Sequence, residues 1–445
     1  MNISAIVRAD NGGLGTLSRM FADFLPGGFH RTASIARHEG EAYHGRFGAQ
    51  NRVVTDGLTP ELIEWLCRGS DALLTFECWY GAEVPAMARA LGCKTVLVPM
   101  VECCPTCGSG LEATNLVVCP SLLDHEEMRD HTPGLKGAVK TFLPIPFDTQ
   151  RIAFRQRERA EVFGHHQGHG GIDGRNGTQQ VLDAWQYVKS PARLVVKRQP
   201  SAAAVRVPAD ERIAVIESDV PDYWQLWEDA AHHSRLTPHF KGDVFLHPHR
   251  WDGLSLPIQE ACAAGLPVMT TGYWPFCDGE ASGQATTHDS PLTTHQTGWL
   301  PPSNQALAMG VERTTRRRIC REFSAHETSP RTIAAAVDAL YGRNICQASA
   351  DVRATAELWS WKRLGPVWAR LFEDLAAGHR IPEHYPYDQG QSPRVRGVRH
   401  DRWLHRWATS QLGRGPTGRA RRCRRLLRMA AEVVGKRALS RDALS

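Results

Sequence analysis

The segment of the sequence most suited to chemistry carries two carboxylates eight positions apart, Asp252 and Glu260. Between them, Ser255 and Pro257 are typical of the cap and the first turn of a helix. Backbone N–H groups in a first helical turn have no helical partners, so they bind anions such as phosphate. Neighbouring carboxylates can accept hydrogen bonds from the hydroxyls of a sugar or a ribose. The pattern predicts such a site, with N–H donors at Leu254, Ser255 and Leu256.

This segment, residues 252–268, resembles the signature of the retaining, GT-B type nucleotide-sugar glycosyltransferases, in particular glycosyltransferase family 4. That signature is a Glu, seven residues and a second Glu, within E-G-F-G-L-P-x-x-E-A-x-A-x-G-x-P-V. Asp252 occupies the first acidic place, one methylene shorter than Glu, and Glu260 the second. The resemblance implies that the first acid contacts hydroxyls of the donor sugar and that the second holds the nucleotide ribose. The other matching positions are Gly253, Leu256, Pro257, Ala261, Ala263, Gly265, Pro267 and Val268.

A basic segment further upstream fits the same resemblance. The family has a strand ending in V-G-R, followed by K-G or K-N-G before L-x-x-A. In this sequence His165 stands in the place of the arginine. Arg175 stands in the place of the lysine and is followed by Asn176. The resemblance implies that these residues neutralise the donor diphosphate, which an arginine can bind bidentately. Lys197, ending a predicted strand, is a further candidate. Residues 165–171 are open to three interpretations: a phosphate-facing loop, a solvated loop or a metal site.

Two features of the first part of the chain also resemble the family. Gly12 and Gly13 follow the first predicted strand, as does the family's glycine loop near the reaction centre; an ordinary turn before a helix is the alternative. Glu77 follows a predicted strand at residues 72–76, where such enzymes often place a polar residue facing the acceptor. An ordinary acid at a strand end is the alternative for Glu77. With Asp252 and Glu260, it completes the set of predicted catalytic residues.

The elements that must position these residues alternate between strand-like and helix-like patterns, over residues 1–145 and again over 160–270. Such alternation implies parallel sheets covered by helices. The predicted fold is therefore α/β, with two Rossmann-like doubly wound domains facing a cleft. We assign residues 1–150 to an acceptor domain and 151–345 to a nucleotide-sugar donor domain.

A helical stripe of apolar residues and a basic segment follow the two predicted domains. The stripe predicts a closing helix at residues 350–378, kinked or interrupted at Gly365-Pro366. Residues 379–445 form an Arg-rich extension, of which 391–445 carry 15 Lys or Arg and 3 Asp or Glu, or +12. Because the whole chain is +6, the preceding residues carry −6. This basic tail suits DNA or an anionic membrane surface, or is a solvated extension.

Composition excludes several classes of protein. The 445 residues, 42% apolar and 22% charged, indicate a globular chain of two or three domains. No apolar run approaches the length of about 18 residues that a membrane helix needs. Residues 1–8 are interpreted as a strand and not as a signal peptide. Twelve cysteines are too few for a disulfide scaffold. One C-x-x-C at residues 104–107 lacks a second pair for zinc. Since the cysteines are sparse and no export signal is visible, we expect a cytoplasmic protein with reduced thiols, with peripheral membrane association as an alternative.

Three functions remain open at this stage. The first is transfer of a sugar to a saccharide or lipid-linked acceptor, and the second is glycosylation of a nucleic acid held by the tail. The third is a non-catalytic binding protein on the same scaffold. For the enzymes, the resemblance implies a UDP- or GDP-sugar donor, retention of anomeric configuration, and no required cofactor or metal.

Overall fold

The computed structural model describes residues 1–9, 13–36, 47, 50–150, 152–168, 174–198, 202–217, 242–252, 254–273, 276 and 300–387. All of them belong to one compact unit of the chain. Gly12, Gly253 and residues 169–171 of the loop at 165–171 lie outside the described residues, as do residues 388–445, which include the basic segment 391–445. The sequence also predicts a helix at residues 223–231, which is likewise outside them. None of the described helices is long and apolar enough to cross a membrane.

The first sheet contains seven parallel strands in the order β3-β2-β1-β4-β5-β6-β7. Alternate residues of a strand face opposite sides, so Val7 packs in a core cluster with Phe21 while Ile6 packs in another with Ile63. Both faces are therefore covered. The strands are β1 (Ile3–Arg8), β2 (Thr32–Ile35), β3 (Asn51–Val54), β4 (Ala72–Glu77), β5 (Lys94–Pro99), β6 (Leu116–Cys119) and β7 (Val139–Phe142). The helices are α1 (Gly13–Phe24), α2 (Pro60–Cys67), α3 (Val84–Ala90) and α4 (Leu122–Asp130).

The second sheet repeats this topology with five parallel strands in the order β10-β9-β8-β11-β12. In both sheets the strand order reverses at one point, between β1 and β4 and between β8 and β11. This confirms the prediction of two Rossmann-like doubly wound domains. The strands are β8 (Val162–Gln167), β9 (Arg193–Arg198), β10 (Ile213–Glu217), β11 (Val244–His247) and β12 (Val268–Thr270). The helices of this part are α5 (Thr178–Ala184), α6 (Leu256–Ala263), α7 (Pro302–Gln305) and α8 (Pro330–Leu340).

The predicted closing helix is divided in two, but the break lies at residues 359–360 and not at Gly365-Pro366, where the sequence predicted a kink or interruption. Helix α9 (Cys346–Leu358) ends before Trp359, and α10 (Trp361–Ala376) starts two residues later. The break forms because Phe147, in the connection between the domains, donates to the carbonyl of Trp359 (2.7 Å) and accepts from the N–H of Trp361 (3.1 Å). Pro366 lies inside α10 without ending it.

Helix α10 returns to the first domain and buries its aromatic face there. The ring of Phe21 in α1 lies 4.9 Å from that of Trp361 and 4.9 Å from that of Trp368. The indole N–H of Trp368 donates to the carbonyl of Pro144 at 2.9 Å. Burial of two tryptophans is worth several kcal/mol, which outweighs the hydrogen bond that Pro366 removes.

An antiparallel hairpin of β13 (Arg313–Arg318) and β14 (Glu322–Glu327), not predicted from the sequence, reaches from the second domain to the first. At its turn, the guanidinium of Arg321 lies 2.8 Å from a carboxylate oxygen of Glu127 in α4. The N–H of Cys320 donates to the carbonyl of Glu102 at 3.2 Å. The hairpin therefore joins the two domains beside the segment that follows β5.

Candidate active site

The predicted site residues lie where the strand order of each sheet reverses. Gly13 follows β1 and Glu77 ends β4, the two strands at the reversal of the first sheet. Arg175 follows β8 and Asp252 follows β11, at the reversal of the second. Ligands of doubly wound folds bind at the carboxyl ends of strands at such points. The predicted residues Gly13, Glu77, Arg175 and Asp252 therefore lie at the carboxyl edges of the two sheets.

These two edges face each other. A Cβ atom placed on Gly13 would lie 3.4 Å from Cδ1 of Leu256, at the start of α6. Gly13 therefore packs directly against the helix that carries the acidic motif. Glu260 is on the same face of α6 as Leu256, because residues four apart share one side of a helix. Glu260 is 5% exposed, so this acid is buried as well.

An ion cluster crosses the cleft with Arg175 at its centre. Its Nη1 is 3.0 Å from Oε1 of Glu102 in the first domain, and its Nη2 is 3.4 Å from Oδ2 of Asp252 in the second. The acidic side chains are 6% and 10% exposed, and that of Arg175 is 26% exposed. We call Glu102, Arg175 and Asp252 the cleft triad. It holds one cation between two carboxylates from opposite sides of the cleft.

Burial sets the electrostatics of the cleft triad. Burial lowers the pKa of Arg175, but the carboxylates of Asp252 and Glu102 outweigh this effect and raise it above its ordinary value. Burial also raises the pKa of Glu102, and Arg175 offsets only part of that rise. Among the described residues, Oε2 of Glu102 is buried without a hydrogen-bond partner. The triad is thus a permanent cation beside a carboxylate that its surroundings do not fully satisfy.

The loop that carries Arg175 is fixed by a glycine and by the neighbouring loop. Gly177, with φ of +68°, precedes α5, and a Cβ there would lie 2.5 Å from the carbonyl oxygen of Pro248. A side chain therefore cannot fit at this position without moving one loop. The carbonyl of Arg175 accepts the N–H of Arg250 at 2.8 Å. These contacts join the loop after β8 to the loop after β11, which ends at Asp252.

His165 lies inside β8 and not at its end. One ring nitrogen is 2.8 Å from the carbonyl oxygen of Leu246, and the other is 2.8 Å from Oγ1 of Thr178 at the start of α5. Burial lowers its pKa to about 4, against a smaller opposing effect of the Leu246 hydrogen bond. The ring is therefore neutral at neutral pH and positions α5, which differs from the phosphate-binding cation expected from the sequence.

Asn176 and Lys197 lie close to the carboxyl edge of the second sheet. Asn176 is 8% exposed, and its amide nitrogen is 3.5 Å from the carbonyl oxygen of His166. Lys197 is 1% exposed and stands opposite His166 in the pairing of β8 with β9. Burial lowers the pKa of His166, and the Lys197 charge lowers it further. A buried lysine next to the loop of Arg175 places a second cation in this region.

Of the three N–H donors expected at the start of α6, that of Leu254 is used within the loop and those of Ser255 and Leu256 are not. The N–H of Leu254 donates to Oδ1 of Asp252 at 3.2 Å, so this donor is already used within the loop, contrary to expectation. Ser255 makes no side-chain capping bond; its hydroxyl is 3.4 Å from Nε2 of His247. Among the described residues, the backbone N–H groups of Ser255 and Leu256 have no hydrogen-bond acceptor. Those two groups remain the candidates for an anion.

Glu77 occupies a strained backbone position. Its φ is +72°, a left-handed conformation that costs a non-glycine residue about 1–2 kcal/mol. One of its carboxylate oxygens accepts the hydroxyl of Tyr80 at 3.2 Å. Its charge also contributes to the raised pKa of Glu102, so the two acids lie in the same part of the first domain. Strain of this kind is common where a side chain must be aimed at a ligand.

Glu102 is a residue of the cleft triad that the sequence does not predict. A signal exists, because Glu102 comes three residues after the end of β5 on the edge that carries Glu77, but the adjacent C-x-x-C is the more prominent local pattern. A row of buried rings at the end of β11 is likewise not predicted: His247 and His249 stack at 4.9 Å, and Tyr273 and His326 at 4.5 Å.

The strand order of both sheets, with their reversal points facing across a cleft, defines the GT-B fold. No protein-family model matches the chain, and a search of curated proteins finds no match. Similar solved structures include a sucrose-phosphate synthase from Thermosynechococcus elongatus, at 10% identity and a TM-score of 0.49, covering 85% of this chain and 100% of that one. The apo lipopolysaccharide outer core galactosyltransferase WaaB shows 11% identity and a TM-score of 0.48, covering 85% and 99%. HepE of Anabaena, in complex with UDP, shows 10% identity and a TM-score of 0.48, and the match covers 85% of this chain and 100% of that one.

Proposed function

We propose that this protein is a glycosyltransferase that transfers a sugar from a nucleotide-sugar donor to an acceptor hydroxyl, with retention of configuration. The observation that carries the proposal is the cleft triad, in which a charged Arg175 is held in the cleft between the two domains. Its partners stand at the carboxyl ends of both sheets, where doubly wound folds bind nucleotides. The acidic motif of residues 252–260 supports the same assignment.

Sugar transfer from a nucleoside diphosphate requires stabilisation of the charge that develops on the departing diphosphate. Cations and N–H groups fixed around that charge lower the barrier because they need no reorganisation during the reaction. Arg175 supplies the cation, with Lys197 as a second one. The N–H groups of Ser255 and Leu256 supply oriented dipoles. In this proposal Arg175 moves from Glu102 to the diphosphate when the donor binds.

The carboxylates orient the other parts of the donor. Asp252 accepts hydrogen bonds from the sugar hydroxyls, and Glu260 accepts them from the ribose. Glu77 and Glu102 belong to the first domain and face the acceptor side of the cleft. Closure of the domains over the donor would exclude water and align the acceptor hydroxyl.

The donor test uses a panel of UDP- and GDP-sugars with the full chain. A bound donor raises the midpoint of thermal unfolding by mass action, and release of the nucleoside diphosphate reports turnover. Arg175→Ala should lower turnover by about 10²–10³-fold. Because it leaves two buried carboxylates without their cation, it should also lower the unfolding midpoint, so turnover is compared at a temperature where the variant is folded. Glu260→Gln should weaken donor binding, since it removes the charge that accepts the ribose hydroxyls.

Arg159→Ala is the matched control. Arg159 is exposed and precedes β8, at the edge of the second sheet opposite the cleft. Its removal should leave turnover unchanged. Normal turnover in Arg175→Ala would contradict the site, and failure of every nucleotide sugar to shift the unfolding midpoint would favour a binding protein of another kind.

The acceptor is proposed to be a saccharide or a lipid-linked saccharide, with the basic tail holding the enzyme near an anionic membrane surface. The net charge of +12 on residues 391–445 also favours the second candidate, glycosylation of a nucleic acid. Removal of these residues should spare donor hydrolysis and impair use of the native acceptor. Binding to anionic liposomes supports the first acceptor class; binding to DNA that falls steeply with salt supports the second.

A further inference from the structure

A second cluster of potential ligand side chains lies at the β7 edge of the first sheet. It contains His125 of α4 together with Glu383 and His384 of the segment that follows α10. One ligand atom from each of the three lies within 4.8 Å of the others. His125 is 2% exposed, Glu383 is exposed and His384 is half-buried. The cluster is therefore buried at His125 and open to solvent at Glu383.

The two histidines present nitrogens that their surroundings do not satisfy. In the part of the chain that the structure describes, Nε2 of His125 and Nε2 of His384 are both buried without a hydrogen-bond partner. Leaving a buried polar atom unpaired costs about 1–3 kcal/mol, so two such atoms side by side indicate that something else satisfies them. Nε2 of His125 is 3.8 Å from Oε1 of Glu383, which is too long for a hydrogen bond.

The charge state of these rings suits a metal. Burial and, to a smaller extent, the neighbouring His384 together lower the pKa of His125 to about 4. Burial also lowers the pKa of His384. Both imidazoles are therefore neutral at neutral pH, with lone pairs available for coordination. A water bridge could satisfy one of these nitrogens, but a carboxylate in the same cluster supplies the negative charge that a cation needs.

We propose that His125, Glu383 and His384 form a binding site for a divalent transition metal of the zinc type. Two imidazoles and one carboxylate are a common ligand set for Zn²⁺, whereas Mg²⁺ and Ca²⁺ prefer oxygen ligands alone. In tetrahedral coordination with bonds of about 2.0–2.1 Å, ligand atoms are about 3.3 Å apart. The three ligand atoms lie within 4.8 Å of one another, so metal binding would draw them together by at most about 1.5 Å, and a water molecule would complete the tetrahedron.

Arg129 is the neighbour that opposes a cation, and the structure shows how its charge is balanced. Its Nη1 is 3.0 Å from Oε1 of Glu383. Its Nε and Nη2 also donate to the two oxygens of Asp130, at 2.8 and 2.7 Å. Arg129 therefore keeps a bidentate carboxylate partner when the metal takes Glu383. Arg129, Asp130 and Glu383 together carry a net charge of −1 before the metal binds.

The site connects two parts of the chain that are far apart in sequence. The segment of Glu383 and His384 extends the first sheet at β7: the N–H of Phe142 donates to the carbonyl of Glu383 at 2.8 Å. The N–H of Tyr385 donates to the carbonyl of Phe142 at 3.1 Å. A metal would fasten this segment to α4, and the segment immediately precedes the basic tail. This inference does not depend on sugar transfer, because its readout is metal binding itself.

The test is a calorimetric titration of the chelator-treated full chain with Zn²⁺, and with Mg²⁺ for comparison. We expect one saturable Zn²⁺ site and no Mg²⁺ site. His384→Ala and Glu383→Gln should each weaken Zn²⁺ binding about tenfold or more. Both positions are at least partly exposed, so these variants should fold even if His125→Ala does not. Zn²⁺ should also slow amide hydrogen exchange at Phe142 and Tyr385.

His131→Ala is the matched control, since His131 is an exposed histidine that follows α4 directly. It should bind Zn²⁺ as the natural chain does. Unchanged Zn²⁺ affinity in both His384→Ala and Glu383→Gln would place the metal elsewhere and overturn the proposal. Absence of saturable Zn²⁺ binding in the natural chain would overturn it equally.

Discussion

Arg175 is held by two carboxylates, so any anionic ligand that uses it must compete with them. Removing one partner of a buried ion pair commonly costs 3–5 kcal/mol, about what a strong ligand contact contributes. The cleft triad, however, retains a second carboxylate when one is lost. Glu102, from the first domain, is the partner that burial disfavours, since its pKa is raised. It is therefore the carboxylate that a diphosphate most easily displaces.

Glu102→Gln should strengthen the binding of a nucleoside diphosphate. The substitution changes the net charge of the cleft triad from −1 to 0 and leaves Arg175 with Asp252 alone. We expect the Kd to fall about tenfold, equivalent to about 1.4 kcal/mol, in a titration with the nucleotide that the donor panel selects. Glu83→Gln, the same charge change at an exposed position before α3, should leave the Kd unchanged. Weaker binding in Glu102→Gln would mean that Glu102 assists the ligand instead of competing with it.

At the scale of elements, the loop between β8 and α5 depends on a single glycine. Gly177→Ala adds a Cβ 2.5 Å from the Pro248 carbonyl oxygen at a φ of +68°. Backbone strain and this clash together should lower the free energy of unfolding by about 2 kcal/mol or more. The shift of the loop should also lower turnover, because Arg175 is two residues away.

Gly310→Ala provides the comparison, because no atom lies within 4 Å of a Cβ added there and its φ is not in the left-handed region. Denaturant unfolding and donor hydrolysis, measured on both variants, distinguish the two positions. Equal stabilities would show that the loop after β11 moves freely to accommodate a methyl group. The close approach of the two loops would then not be needed to place Arg175.

The elements that the sequence predicts well are those with a strong apolar pattern. For strands β5 and β11 the sequence predicts strands at residues 94–99 and 244–247, the bounds that the structure shows, because buried parallel strands are nearly continuous apolar runs. Strands β2 and β3 were missed since each has four residues and polar side chains. The strand β13, Arg-Thr-Thr-Arg-Arg-Arg, gives no apolar signal at all.

The site was predictable in part for a related reason. Asp252 and Glu260 belong to one local motif, so the sequence predicts them together through its resemblance to the glycosyltransferase signature. Glu102 becomes a site residue only because it meets Arg175, 73 positions away, across two domains. No local pattern encodes such a pairing. His165 shows the converse, since its place in the motif suggested a cation while burial makes the ring neutral.

At the scale of the whole molecule, one apolar cluster joins the two domains. Phe21 of α1, Leu256 and Ile258 of α6, and Trp361 and Trp368 of α10 all belong to it. The cleft triad and the ion pair of Arg321 with Glu127 also connect the two domains. Stability and cleft geometry are therefore linked, and groups that titrate in the interior will affect both.

Buried histidines should make the protein lose stability in mild acid. Burial lowers the pKa of His165, of His249 and of His326 to about 4 each, from an ordinary value near 6.5. Between these values the unfolded chain binds more protons than the folded one, so stability falls as the pH falls. Each histidine contributes at most about 1.4 kcal/mol per pH unit. The loss should begin below about pH 6.5.

Asp124 should make the stability of the folded protein fall as the pH rises, which is the opposite of the effect of the histidines. It is fully buried, and burial raises its pKa to about 8, against the hydrogen bond from Ser121. Between its ordinary pKa of 3.8 and about 8 the folded state binds more protons, so stability falls as the pH rises. In acid the histidines outweigh this single group. The midpoint of thermal unfolding should therefore be highest near pH 6.5–7 and lower at about pH 5 and pH 8.

Two variants separate these contributions in the same measurement. Asp124→Asn, which resembles the protonated acid and can still accept the N–H of Val101, should abolish the decline above about pH 6.5 and leave the acid decline intact. His326→Asn removes one of the groups that take up a proton on unfolding in acid. It should therefore make the fall of stability with decreasing pH less steep, by at most about 1.4 kcal/mol per pH unit, and leave the decline above neutrality unchanged. An unfolding midpoint that stays constant from about pH 5 to pH 7 would mean that these rings are not held neutral in the folded protein. The interior would then be open to water at the carboxyl edge of the second sheet, where the proposed donor site lies.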